Sequence, residues 1–334
     1  MDDPSSTSIQ LHAAAANLQA GPASPVVSND MIHKGKFFMV IRLGTPPVFN
    51  LVTIDTGSIL SWVQCQPCQI WCYTHNPEAG PTFDPLNSTT YQRVACSSQD
   101  CTGIQERLGV QFGCMEEMET CLYSFRYGSG PMAQYSVGRL SKDRLGLTLS
   151  DDVVVDDFIF GCSEDARFKG SEAGIVGFGN DRFSFLNQVM DRQTNSYHAV
   201  SYCFPAGDGH DARGFLSMGP AFVYSLQQLD MMVDGQRLEA VTAAMAAKGY
   251  GRHQLNDQEH TVCFRVTGSD TAVDWNDLPK VEMKFTGTTL KLPPQNPRDA
   301  GVNGVQILGN KATRSIRVVF HLRAKMFGFE PDAC

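Results

Sequence analysis

Basic residues are in deficit. The 334-residue chain carries 27 Lys and Arg against 35 Asp and Glu, a formal net charge of −8 at pH 7, so it offers no cationic face to a nucleic-acid backbone. It has no apolar run approaching the roughly 20 residues that span a bilayer as a helix. A phosphate-binding loop is missing too: Gly174, Gly177 and Gly179 do not keep G-x-G-x-x-G spacing, and no P-loop lysine follows them. The first ten residues, MDDPSSTSIQ, are acidic and contain neither the basic nor the apolar region of a secretory leader.

Cysteine, by contrast, is plentiful. Seven of the eleven fall between Cys65 and Cys121, a density expected in an oxidising compartment, and hence of a chain in the secretory pathway, extracellular or vacuolar. The sequon Asn87-Ser88-Thr89 agrees with that placement, and such a chain would be mature or have its leader outside this sequence. The Cys65–Cys121 segment is rich in Pro, Asn and Ser and poor in apolar runs, which predicts a loop-rich insertion stapled by disulfides. Cys65-x2-Cys68-x3-Cys72-x2-His75 could instead offer four zinc ligands. Structural zinc sites usually present two separated ligand pairs, and four more cysteines follow, so disulfides are favoured and no metal is expected. Residues 1–32, Ser-, Pro- and Ala-rich with one short helical pattern at Leu11–Leu18, read as a flexible tail, with structure beginning near Lys36.

Chemistry concentrates after Phe37. An apolar strand (Phe37–Ile41), a Gly-Thr-Pro-Pro turn (Gly44–Pro47) and a second apolar strand (Leu51–Ile54) run directly into Asp55-Thr56-Gly57-Ser58. A carboxylate at the end of a buried strand, followed by a hydroxyl residue and a glycine, sits on a tight loop whose own N–H groups can bond it, which makes Asp55 the first candidate acid or base. Cys121–Gly130 alternates aromatic residues into a glycine turn and Gly138–Leu147 reads as its return strand, a hairpin in which Tyr127 either packs across the strands or closes over a ligand. Val153–Cys162 is a further strand, and Phe183–Met190 a short helix capped by Asp181 or Ser184.

Ile54-Asp55-Thr56-Gly57-Ser58, followed by Leu60-Ser61-Trp62 and by Cys65, Cys68 and Cys72, resembles the first catalytic loop of the pepsin-like aspartic proteases, in particular their cysteine-rich, nepenthesin-like plant branch. The resemblance covers roughly residues 36–334. It implies a mostly β, bilobal fold. Residues 33–198 would form a first lobe with the catalytic loop, the Cys-rich insertion and the flap, and residues 199–334 a truncated second lobe. It makes Asp55 catalytic, with Thr56, Gly57 and Ser58 supporting it and Tyr127 and Gly128 on a substrate flap. Ile175-Val176-Gly177 would thread beneath the loop. A monomer with a peptide or protein substrate between the lobes, and no cofactor, is the implied arrangement. Ser201–Phe204, Gly214–Gly219, Leu278–Phe285, Thr288–Leu292, Val305–Asn310 and the hairpin Ile316–Phe320 with Lys325–Phe329 would build the second lobe.

Half of the family's active site is not in the sequence. Aspartic proteolysis uses two carboxylates that share a proton, one Asp-Thr/Ser-Gly loop from each lobe, and this tripeptide pattern occurs here once. The second loop belongs between a segment like Met231–Leu238 and a helix like Ala240–Lys248, which here directly follow one another. Asp270-Thr271-Ala272 lacks the glycine, and Asp234 and Asp274 read as turn or surface residues. The expected protein is therefore a family endopeptidase of weak or no activity. The alternatives are a silent peptide- or protein-binding or inhibitor-like relative, akin to the plant xylanase inhibitors of the same fold, and a deleted variant of an active protease. A dimer contributing two copies of Asp55 would collide with the retained second lobe. The resemblance also implies that Cys263 has lost its partner, so alkylation of the native protein followed by peptide mapping is expected to label Cys263 and no other cysteine.

Overall fold

The computed structural model describes residues 23–28, 35–108, 114–115, 119–128, 133–147, 150–192, 199–205, 213–219, 227–228, 246–247, 250–254, 262–266, 281–285, 288–292, 313–321 and 326–330. Strands β2 (Phe37–Leu43) and β3 (Val48–Asp55) form the hairpin on which the site is built. Both read as nearly continuous apolar runs, and both are buried at most positions, as expected of strands covered on two faces. Gly44 opens their turn at φ +89, and an added Cβ there would lie 3.1 Å from the Phe83 ring.

The chain joins the sheet earlier than its composition suggests. Strand β1 (Ala23–Ser28) pairs antiparallel with β2, Val26 opposite Met39, and on its other side with β12 (Arg213–Gly219), Val26 opposite Gly214. This corrects the flexible tail through residue 32 and the start of structure near Lys36. Pairing on both edges satisfies a backbone whose Ser- and Pro-rich sequence gave no strand signal, and Val26 supplies a completely buried anchor. The helical pattern at Leu11–Leu18 lies outside the described residues.

From β3 the sheet continues through β10 (Gly174–Gly177), β4 (Trp62–Gln64), β9 (Ser150–Arg167), β8 (Gln134–Leu147), β7 (Thr120–Tyr127) and β6 (Cys114–Met115), with β5 (Gln92–Arg93) on β8. Beyond β12 it runs through β11 (Ala199–Cys203), β18 (Arg317–His321), β19 (Met326–Glu330) and β13 (Gln227–Gln228). The anticipated closing hairpin is thus β18 with β19, and the strands expected at Ser201–Phe204 and Gly214–Gly219 are β11 and β12, paired with each other. Two further hairpins stand apart from this sheet, β14 (Tyr250–Gln254) with β15 (Val262–Val266) and β16 (Val281–Phe285) with β17 (Thr288–Leu292). Met231–Leu238 and Val305–Asn310 lie outside the described residues, as do Asp234, Asp270, Asp274 and the side chain of Cys263. Of Ala240–Lys248 only Ala246 and Ala247 are described, and they are helical.

The insertion is more ordered than a loop-rich reading allowed. Helix α1 (Gln99–Leu108) is capped by Ser98, whose Oγ accepts from the Cys101 N–H at 3.1 Å, and it buries Cys101 and Ile104. Gly103 and the short apolar stripe hid it in the sequence. Disulfide Cys101–Cys121 ties α1 to β7, Cys96–Cys114 ties the segment just before α1 to β6, and Cys68–Cys72 closes a small loop. Cys65 leaves the insertion to bond Cys162, because β4 and β9 run parallel with Val63 opposite Cys162. The four candidate zinc ligands are accordingly divided among two disulfides and a histidine whose Nδ1 lies 3.3 Å from the Gly80 carbonyl oxygen. Cys203 is disulfide-bonded as well. The second helix, α2 (Phe185–Arg192), starts at the expected cap: Ser184 Oγ accepts from Asn187 N–H at 3.3 Å.

Two buried clusters result. The larger fills the space around β1, β2 and β3 and reaches Phe204, which stacks on Phe37 with centroids 4.5 Å apart. The smaller gathers Trp62, Tyr73, Ile104, Tyr123, Phe168 and Phe183. Cys65–Cys162 closes the longest loop of the four described disulfides, with a sequence separation of 97. Replacing both cysteines by Ala is expected to destabilise the protein by about 2–5 kcal/mol, measured as a lower midpoint in denaturant unfolding.

Candidate active site

Asp55 ends β3 and is partly exposed, while Thr56 and Gly57 face solvent and Ser58 is buried. Its carboxylate is held from within the loop: Oδ1 accepts the Gly57 N–H at 2.9 Å, and Oδ2 accepts the Ser58 hydroxyl. Both bonds orient the carboxylate, the group that would accept a proton from water.

Beneath the loop runs β10, parallel to β3 with Val176 opposite Ile54 and antiparallel to β4. Phe178 N–H donates to the Asp55 carbonyl at 2.8 Å, Gly179 N–H to the Ser58 carbonyl at 2.8 Å, and Gly177 N–H to Ser61 Oγ at 3.1 Å. This is the threaded segment that the sequence anticipated. A Cβ on Gly177 would lie 2.6 Å from the Ser58 carbonyl oxygen, a backbone atom that cannot yield without moving the loop.

The hairpin expected to form the flap is β7 with β8, Tyr127 opposite Gln134. Gly128 follows at φ +78, in open space, where a left-handed residue ends the strand. Tyr127 does more than pack its hairpin. Its hydroxyl accepts the Trp62 indole N–H at 2.8 Å, its ring meets Phe168 edge-on at 5.2 Å, and Phe125 stacks on it at 5.7 Å. Burial pushes the Tyr127 phenol far above its ordinary pKa; hydrogen bonding with Ser58 opposes this, the charge of Asp55 reinforces it and the Trp62 bond opposes it. The phenol therefore stays protonated and able to donate beside Asp55.

Sequence reasoning missed what flanks this group. Glu172, fully buried, takes an ion pair from Lys36 at 2.5 Å and a hydrogen bond from Thr53 Oγ1 at 3.4 Å, two residues before Asp55 on β3. Lys36 Nζ also stands 5.7 Å over Phe168, which packs on Trp62 at 4.9 Å. Lys36 and Glu172 are 136 positions apart, and neither lies in a recognisable pattern. Trp62 belongs to the motif that carries the resemblance, and nothing in the sequence marks it as the anchor of Tyr127. Among the described residues no group of three or more His, Cys, Asp or Glu could hold a metal ion.

The family model for the xylanase inhibitor N-terminal domain matches residues 37–220, a span that includes the Asp55 loop, the insertion, the β7–β8 hairpin and β10. An aspartyl protease family protein of Arabidopsis thaliana is 31% identical over 93% of this chain and 75% of its own length. The chain belongs to the plant pepsin-like aspartic proteases. Aspartic proteinase nepenthesin-2 of Nepenthes gracilis is 24% identical over 94% of this chain and 81% of that protein. Among solved structures, conglutin gamma from lupine seeds superposes with a TM-score of 0.60 at 15% identity, covering 92% of this chain and 94% of that one. Basic 7S globulin from soybean superposes at 0.58 and 15%, covering 92% and 93%, and these two likenesses establish the shared fold. The Trp62–Tyr127 bond joins β7 to β4, just beyond the Asp55 loop. Trp62→Phe keeps the ring but removes the donor, and is expected to cost about 1 kcal/mol and to speed amide hydrogen exchange at Phe125–Tyr127 while leaving β2 and β3 protected.

Proposed function

We propose that this chain binds polypeptide beside Asp55 as a two-lobed member of the aspartic protease family, and that its own hydrolytic activity is weak or absent. The observation that carries the reading is a completed half-site in a sequence where the Asp-Thr/Ser-Gly pattern occurs once. Asp55 can take a proton from an attacking water, and Tyr127 with Trp62 and Phe168 offers an apolar wall with one donor hydroxyl over the same space. Polarising the scissile carbonyl and protonating the leaving amine need a second, protonated carboxyl group, and each such proton transfer is typically worth about 10²–10⁴-fold in rate.

The length of the relatives supports a lost segment. The alignment with the Arabidopsis protein runs to 375 positions yet takes up 93% of the 334 residues here, about 311, which leaves about 64 positions of that protein without a counterpart. A second reading, an inhibitor-like or otherwise silent protein-binding relative, is favoured by the family model that matches residues 37–220. The disulfides support passage through the secretory pathway in either case.

Cleavage of an unfolded protein at acid pH separates the possibilities. The chain and Asp55→Ala are expected to give the same background rate, while both retain binding of an extended peptide followed by fluorescence anisotropy. Loss of about 10²–10⁴-fold in cleavage on Asp55→Ala, or inhibition of the parent by a pepstatin-like statine peptide, would show that a second carboxylate is recruited and overturn the proposal.

A further inference from the structure

Asn87-Ser88-Thr89 is the one Asn-x-Ser/Thr sequence in the chain whose middle residue is not Pro. It lies on a 3-10 turn, Pro85–Asn87, whose preceding Asp84 accepts the Leu86 N–H at 3.0 Å and the Asn87 side-chain amide at 2.8 Å. The neighbours anchor this turn firmly. Ser88 Oγ accepts the Thr45 N–H at 3.0 Å and donates to the buried Asp143 carboxylate at 3.1 Å, Thr90 Oγ1 donates to the same oxygen at 2.6 Å, and Thr89 N–H bonds the Thr45 carbonyl at 2.8 Å. Between those anchors Asn87 is exposed, and Leu86 is 88% exposed. A large apolar side chain held rigidly in water gains nothing from burial in this chain alone.

We infer that Asn87 carries an N-linked oligosaccharide whose first sugars lie over Leu86. The donor class is a lipid pyrophosphate-linked oligosaccharide. Asn87 Nδ2 forms a bond to the sugar C1 as the C1–O bond to pyrophosphate breaks, one amide proton is lost, and the lipid pyrophosphate leaves. The remaining amide N–H can still donate to Asp84. The position also spares the site. Thr45 lies in the turn before β3, whereas Asp55 ends that strand of 8 residues, about 25 Å away at roughly 3.3 Å per residue. A glycan there leaves the space over Asp55 open and protects the opposite end of the hairpin.

The test uses the full chain behind a cleavable signal peptide, secreted from yeast, and does not depend on activity. Peptide N-glycosidase is expected to remove one glycan's mass and convert Asn87 to Asp in the mapped peptide. Asn87→Gln and Thr89→Val are each expected to abolish the shift, and Thr89→Ser to keep it. Secretion of the parent chain with its Cys65–Cys162 and Cys101–Cys121 bridges formed but Asn87 unmodified would overturn the inference, as would an unchanged shift in Asn87→Gln.

Discussion

The Asp55 loop is held by main-chain hydrogen bonds from a segment far downstream, and most of the architecture around it follows from that constraint. Phe178 and Gly179 donate to the carbonyls of Asp55 and Ser58, and Gly177 donates to Ser61 across a sequence separation of 116. For those donors to reach, β10 must lie between β3 and β4, pairing parallel with one and antiparallel with the other. A side chain at Gly177 would meet the loop's own backbone, so the short Gly-Ile-Val-Gly run is fixed by space as well as by hydrogen bonding. Cys65–Cys162 then ties the exit of β4 to β9, which pairs alongside it. The carboxylate is thus oriented by a closed circuit of backbone and disulfide bonds.

Charge is arranged around the same circuit. Glu172 precedes β10 and is fully buried, which would be costly for an unpaired carboxylate, and Lys36 at the entrance to β2 compensates it. The pair links the start of the β2–β3 hairpin to the start of the threaded segment. Tyr73 is bound into this region through its hydroxyl, which donates to the Glu172 carbonyl at 2.8 Å, and burial raises its phenol well above the ordinary range. Polar groups near Asp55 are therefore neutralised in pairs or kept in their neutral forms, and Asp55, bonded by the Gly57 N–H and the Ser58 hydroxyl, is the carboxylate presented at the head of the loop.

Local patterns made much of this legible. The apolar strands before Asp55, the aromatic alternation of β7 and the cap at Ser184 are each written within a few neighbouring residues, and the structure places each where those patterns predicted, whereas the path of β10 beneath the loop was implied by the family resemblance. What the sequence concealed depends on distance or on the other side of a sheet. Strand β1 has a composition that reads as a tail and becomes a strand because β2 and β12 offer it partners on both edges. Helix α1 contains a glycine and only a two-residue buried stripe, and it relies on Ser98 and two disulfides. Cys65 could not be paired from spacing, since its partner is set by the parallel register of β4 and β9. The Lys36–Glu172 pair had no sequence signal at all.

The contacts that orient Asp55 come from a limited part of the chain. Gly57, Ser58 and Ser61 supply the loop, Gly177 to Gly179 the floor, and Tyr127 with Trp62 and Phe168 the wall, all between residues 55 and 179. No contact described to the carboxylate comes from beyond β10. The first half-site can therefore be assembled whether or not a second Asp-Thr/Ser-Gly loop faces it, so its geometry reports family membership and not catalytic competence. The threaded strand, the buried ion pair and the Trp62–Tyr127 bond each hold the packing around Asp55. A second carboxylate would contribute to chemistry and not to holding Asp55 in place, so the geometry that makes the first one recognisable does not depend on it.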